Sequence, residues 1–187
     1  MNIYLKEIEA PKTMFKHRIE ELETGNRNNV QFLQVMKDGK VVNDGIFIMN
    51  TFSKQETEQM VVLNRCVEKK YSDHVLDICK KHYYGTGIKQ YEWHLERISA
   101  VICKETGKTI LECDAESDHI YLYGKVIAVV KGSNCRLYDS TGKFLCDCTY
   151  ENMRNNKEYV VACPSYYYEN GKFTVISRST GEIVAVY

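Results

Sequence analysis

The sequence predicts an α+β fold: a curved antiparallel β-sheet made of successive hairpins, with one principal helix packed against it. Two observations predict it. Residues 91–187 carry Thr106-Gly107, Thr141-Gly142 and Thr180-Gly181, each flanked by short runs rich in β-branched and aromatic residues. Glycine accepts the positive φ that tight turns need, so hairpins are the economical reading of that half. Earlier in the chain, Ser53 and Glu56 make a capping-box signature, in which the serine oxygen receives an early backbone N–H and the glutamate reaches back. Beyond it Met60, Leu63, Val67, Tyr71, Val75, Ile78 and Cys79 recur at helical spacing, which predicts a helix over residues 54–81.

Composition bounds the class. A chain of 187 residues, 44% apolar and 27% charged, has the make-up of an ordinary soluble domain, and burying about 70% of its unfolded surface needs no disulfide or structural metal. One domain over residues 1–187 is expected, with a mixed β/α segment over 1–90 and a hairpin-rich segment over 91–187. The 25 basic and 25 acidic residues cancel, so no overall field recruits nucleic acid or an anionic membrane. The eight cysteines are irregularly spaced and the first residues show no basic start followed by an apolar core, which points to reduced thiols and a cytoplasmic location. The apolar run Val126–Val130 falls far short of the ~20 residues a membrane helix requires.

Taken in order, Tyr4–Ile8 reads as an edge strand, Pro11 interrupts any helix through it, and Met14, Phe15, Ile19 and Leu22 suggest a short helix. Val30–Met36 reads as a strand, Asp38-Gly39 as its hairpin turn, and Val41-Val42 as the start of a return strand that Asn43-Asp44-Gly45 interrupts before Ile46–Met49. Gly85-Thr86-Gly87 ends the helical region. Tyr91, Trp93 and Leu95 share one strand face, then the apolar phase passes to Ile98, Ala100 and Ile102, which predicts a bulge or break near Glu96-Arg97. Gly124-Lys125 marks a tight hairpin, residues 151–158 a longer polar loop, and Pro164 a strand end. The recurring strand–turn–strand unit resembles that of a propeller blade, although three Thr-Gly turns are too few for a complete propeller of ~4–8 blades.

The densest polar cluster is Asp114, Glu116, Asp118 and His119. Asp114, Asp118 and His119 offer oxygen and imidazole ligands to a divalent cation, and Glu116, Asp118 and His119 offer the parts of an acid/base site. A solvated turn is the simpler reading, because the spacing matches no calcium loop. Cys146 and Cys148 share a strand face, with Cys135 or Cys163 placed to approach from neighbouring hairpins; zinc would need four such ligands, or three plus water, and no Cys-x-x-Cys pair fixes them. Gly107-Lys108-Thr109 lacks the rest of a phosphate loop.

Fourteen tyrosines against six phenylalanines favour surfaces that bury rings yet keep a polar edge. Tyr121 and Tyr123 on one strand, with Tyr166 and Tyr168 on another, form the expected binding face. The functional expectation is noncovalent recognition of another protein, as an adaptor or inhibitory module without a favoured cofactor. The alternatives are a small hydrolase or acid/base enzyme centred on the Asp114–His119 loop, and a single-stranded nucleic-acid binder, which the balanced charge disfavours.

Overall fold

The structure, a computed structural model, describes residues 3–9, 31–49, 55–73, 93–163 and 172–187. Among the described residues the chain is nearly all β, in three antiparallel sheets, and the expected α+β architecture with a principal helix is overturned. The strands are β1 (Tyr4–Ile8), β2 (Gln31–Lys37), β3 (Lys40–Met49), β4 (Met60–Lys70), β5 (Trp93–Cys103), β6 (Thr109–Asp114) and β7 (Asp118–Tyr123). They continue as β8 (Val126–Lys131), β9 (Asn134–Asp139), β10 (Phe144–Thr149), β11 (Arg154–Asn155), β12 (Tyr159–Ala162), β13 (Thr174–Ser177) and β14 (Ile183–Val186). A 3-10 turn over Tyr150–Asn152 precedes β11, so the polar stretch after residue 150 is partly ordered and not one open loop.

Three antiparallel sheets result: six strands in the order β1 to β6, four in the order β10-β9-β8-β7, and four in the order β11 to β14. Each follows chain order because short turns join most neighbours. The Asp38-Gly39 turn has φ of 49° and 76°, the paired positive values that suit a two-residue hairpin. Gly124-Lys125 joins β7 to β8, with Tyr123 opposite Val126.

Within the stretch read as a helix over 54–81, Met60–Lys70 is strand β4, paired with β5 from Met60↔Cys103 to Lys70↔Trp93; residues 54 and 74–81 of that expectation lie outside the described residues. The physical reason is burial on both faces. Val61 and Leu63 pack with Leu33, Val35, Phe47, Ala100 and Ile102, while Met60 packs with Val101, Ile120 and Ile127 from the other side. A strand apolar on both sides loses its period-two signature, and a continuous apolar run can be threaded by a helical stripe.

The same effect removes the break expected at Glu96-Arg97: those residues pair with Val67 and Cys66 in an unshifted ladder. Leu95 belongs to a cluster with Phe32, Ile46 and Cys66 on one face, whereas Ala100 and Ile102 are buried on the other. The change of apolar phase records which face is covered, not a bend in the strand.

The six-stranded sheet is curled on itself. β3 and β4 share a single ladder pair, Ile48↔Asn64, yet the tip of the β2–β3 hairpin reaches the β5–β6 turn, two strands away in the sheet order. Asn43 Nδ2 donates to Gly107 O at 2.9 Å and Thr109 Oγ1 at 3.0 Å, Lys37 Nζ to Glu105 O at 2.6 Å, and Ile3 N–H to Lys104 O at 3.0 Å. The chain therefore stacks four β layers in succession: β1–β3, β4–β6, β7–β10 and β11–β14. The β7–β10 layer is covered on both sides. Ile120 and Ile127 face Met60 and Val101, while Val126, Ala128, Val130 and Leu137 face Met153, Val160, Ala162 and Ile176.

The three Thr-Gly turns hold successive layers together. Each glycine has positive φ, at 76° for Gly107, 87° for Gly142 and 78° for Gly181. Each is also pressed against the preceding layer: a Cβ would meet Val42 at Gly107, Ile110 at Gly142, and Lys125 and Asp139 at Gly181. One dipeptide signal in the sequence thus does two jobs, reversing the chain and docking the turn.

Candidate functional site

The acidic loop between β6 and β7 is a closed turn. Glu116 N–H donates to Asp114 Oδ1 at 2.9 Å, and Ser117 Oγ lies 3.0 Å from Asp114 Oδ2 and 2.9 Å from Asp118 Oδ1. The Glu116 amide and the Ser117 hydroxyl hold the Asp114 carboxyl below its ordinary value, away from the range in which a carboxylate exchanges protons near neutrality. Asp118 sits 3.7 Å from Lys131 Nζ.

His119, next in the strand, projects to the opposite face because side chains alternate along a strand; it is exposed opposite Val130. Glu116 is exposed in the turn. The turn therefore joins Asp114 to Asp118 through Ser117 and leaves Glu116 and His119 apart from them. Among the described residues no group of three or more His, Cys, Asp or Glu side chains could hold a metal ion. Burial, with the Asp118 and Asp114 charges behind it, pushes the neighbouring Cys113 thiol up to about 12, so it stays protonated near neutrality.

The tyrosines of β7 lie in the seam between the β7–β10 and β11–β14 layers. Tyr121 and Tyr123 are half-buried against the Val126, Leu137 and Val160 core. Tyr121 stacks on Tyr150 with ring centroids 5.4 Å apart and planes 19° apart. A hydrogen bond with Tyr121, reinforced by burial, pushes the Tyr150 hydroxyl up to about 12. Arg178 places its guanidinium 5.9 Å from the Tyr123 ring centroid and donates to Asn156 O, while its backbone joins Glu158 O and Lys125 N–H, both at 2.8 Å. Tyr121 and Tyr123 thus bind two layers of the same chain, and the exposed ring of the group is Tyr150. Tyr166 and Tyr168 lie outside the described residues.

The cysteine reading resolves into a pair. Cys148 is the direct ladder partner of Cys135, and both are buried. Cys146 faces the same seam opposite Leu137, where burial pushes its thiol up to about 11 against a hydrogen bond from Thr174. Cys163 contributes its carbonyl, which accepts Thr149 N–H at 3.2 Å. On the opposite face, Arg136 and Asp147 are 3.5 Å apart beside a hollow of about 330 Å³ lined by residues 134–136 and 147–149.

Sequence reasoning reads the run after Thr180-Gly181 as a hairpin strand, here β14, but gives no sign of its exposure. Among the described residues this strand is at the edge of its sheet, paired only with β13, and its side chains stand out: Ile183 is 42% exposed, Val184 53%, Val186 57% and the adjoining Tyr187 77%. The signal was the run Ile183-Val184-Ala185-Val186 itself, whose hydrophobicity is what a buried strand would show. The sheet face turned away from β7–β10 continues the apolar character with Tyr159, Val161 and Val175. No protein-family model matches the chain, and no curated protein sequence matches it.

Proposed function

We propose that the protein recognises another protein noncovalently, and that β14 is the strand that receives it. The observation that carries this reading is an edge strand with four large apolar side chains in the solvent, from Ile183 to Tyr187. An edge strand presents a row of unpaired N–H and C=O groups along one side, and folded proteins ordinarily blunt such an edge with charge, proline or a cover. Here Glu182 stands just before the strand and no charged residue lies within it. An extended segment of a partner supplies the complementary backbone, and its alternate side chains meet Val184 and Val186. The expected tyrosine surface shifts accordingly: Tyr187 and Tyr159 take the exposed positions, while Tyr121 and Tyr123 support the layer beneath.

The test places a photo-crosslinking residue at Val184 and, as a control, at Glu105 in the β5–β6 turn of the full chain. A partner that crosslinks from position 184 and not from 105 is then purified and its affinity measured for the wild type, Val184→Lys and Val186→Lys. The expected result is a loss of tenfold or more in affinity, with circular dichroism and thermal unfolding unchanged. Equal crosslinking at both positions, or equal affinity for the folded variants, overturns the assignment.

A further inference from the structure

We propose that Cys135 and Cys148 are an oxidisable pair that closes into a cross-strand disulfide joining β9 to β10. The geometry is set by the ladder: Cys148 lies directly opposite Cys135, between the pairs Thr149↔Asn134 and Asp147↔Arg136 that fix the register on either side. Directly opposed residues of an antiparallel pair have Cα atoms ~4.5–5.5 Å apart, inside the ~4.4–6.8 Å span of disulfides. Opposed side chains also leave the sheet on the same face, so the two sulfurs already face each other across the ladder. The two thiols are near enough for each to be the largest influence on the other's proton affinity.

The pair is asymmetric. The hydrogen bond from Cys148 holds the Cys135 thiol below its ordinary value despite burial, and the same bond, with burial, pushes Cys148 up. Whichever of the two loses its proton is the attacking sulfur, since the thiolate is the reactive form; with Cys135 in that role the steps balance. With hydrogen peroxide as the oxidant, the Cys135 thiolate attacks one oxygen, the O–O bond breaks, and a sulfenic acid and hydroxide result. The hydroxide takes up the proton of the Cys148 thiol to give the first water, and the Cys148 sulfur attacks the sulfenic sulfur. The S–S bond forms, the sulfenic oxygen leaves as hydroxide, and the proton originally lost by Cys135 completes the second water. Two thiols lose two electrons in total and one peroxide becomes two waters.

Both thiols are buried, at 1% and 4% exposure, so the oxidant must be small and the strand must yield. Hydrogen peroxide is small, and the strand is placed to yield. Among the described residues β10 is an edge strand of its sheet, and its ladder is already interrupted between Phe144 and Cys146. The hollow of about 330 Å³ beside Arg136 and Asp147 lies on the opposite face of the same two-strand segment. Cys146 is the alternative partner in reach of the same seam, but it stands opposite Leu137 and not opposite a cysteine.

The test treats the full-length reduced chain with hydrogen peroxide, quenches with catalase, then alkylates in denaturant and maps the peptides by mass spectrometry. The expected result is a fall from eight alkylated cysteines to six, with one dithiothreitol-reversible link between the peptide of Cys135 and that of Cys148. Fragmentation at Asp147 distinguishes Cys148 from Cys146. Cys135→Ser and Cys148→Ser each abolish the link, and Cys113→Ser leaves it intact. Eight alkylated cysteines after treatment, a link through Cys146 or Cys163, or over-oxidation of Cys135 alone overturns the proposal. The mapping of the wild-type chain decides the matter even where a serine variant does not fold.

Discussion

Gly142 lies so close to Ile110 that a Cβ at position 142 would stand 2.9 Å from the Ile110 carbonyl oxygen. The contact crosses from the β9–β10 turn to strand β6 of the layer before, and it repeats the approach of Gly107 to Val42 and of Gly181 to Lys125. Each turn uses a hydrogen bond of its own to keep shape: Gly107 N–H to Cys103 O at 2.8 Å, Gly142 N–H to Asp139 O at 3.0 Å, and Gly181 N–H to Ser177 O at 2.8 Å. Each turn thus keeps its own shape while its glycine rests against the layer before.

Alanine substitutions at two glycines separate these effects. Gly132 has φ of 59° with nothing within 4 Å of its would-be Cβ, so Gly132→Ala should cost only the left-handed conformation, about 1 kcal/mol. Gly124 has φ of 62° and a would-be Cβ 2.3 Å from Arg178 O. Gly124→Ala adds overpacking against backbone that cannot swing away, and should cost about 3 kcal/mol or more. Urea unfolding of the two variants should show this order, and equal losses would mean that the β7–β8 turn does not press on the next layer.

Ile127 is fully buried between layers, against Met60, Val101 and Ile120. Ile127→Ala should destabilise the chain by about 2–5 kcal/mol through lost burial and a residual cavity. Val184→Ala, on the exposed edge, should change stability by less than about 0.5 kcal/mol. Thermal unfolding of both compares the core with the proposed binding edge, and a large loss at Val184 would reveal that β14 is covered.

The turns were the legible part of this fold because their chemistry is local. Thr106-Gly107, Thr141-Gly142 and Thr180-Gly181 reverse the chain where the residues say they should. β4 was illegible for the opposite reason. Its burial is decided by layers distant in sequence, and a strand covered by Phe47 on one side and Ile127 on the other carries no alternation to read. The tyrosines show the same limit. Tyr121 was recognisable as a half-buried aromatic, but whether its ring met a partner or Tyr150 of the same chain depended on how two sheets stack. Composition cannot report that choice.

The β9–β10 turn should make stability depend on pH through Asp139. Burial works to raise this carboxyl and is outweighed by hydrogen bonds from the Thr141 hydroxyl at 2.6 Å, the Thr141 N–H at 2.8 Å and the Lys143 N–H at 3.0 Å, so the net shift is downward. A carboxyl lowered in the folded state stabilises the fold above its unfolded value of about 3.9 and loses that contribution as pH falls through the folded value. Asp139→Asn should therefore be less stable than the wild type at neutral pH, and the gap should close in acid below about pH 4. Denaturant midpoints measured from pH 3 to 7 check this, and a gap independent of pH would assign the loss to shape and not to charge.

The Tyr121–Tyr150 stack makes the last prediction, in the alkaline range. The hydrogen bond with Tyr121 is the chief reason that the Tyr150 hydroxyl is pushed up to about 12, with burial second. A group raised in the folded state stabilises the fold in full below its unfolded value, about 10 for tyrosine, and loses the contribution as pH rises through the folded value. Tyr121→Phe keeps the ring that stacks at 5.4 Å and removes the hydroxyl. It should therefore bring one further tyrosine down toward about 10 in an ultraviolet titration, while leaving the stack and the fold in place. Tyr150→Phe is the control, because it removes the late-titrating group itself. If Tyr121→Phe lowers no tyrosine, burial alone holds the Tyr150 proton and the two rings touch without bonding; if it unfolds the chain, the hydroxyl is structural and the seam between the two layers depends on it.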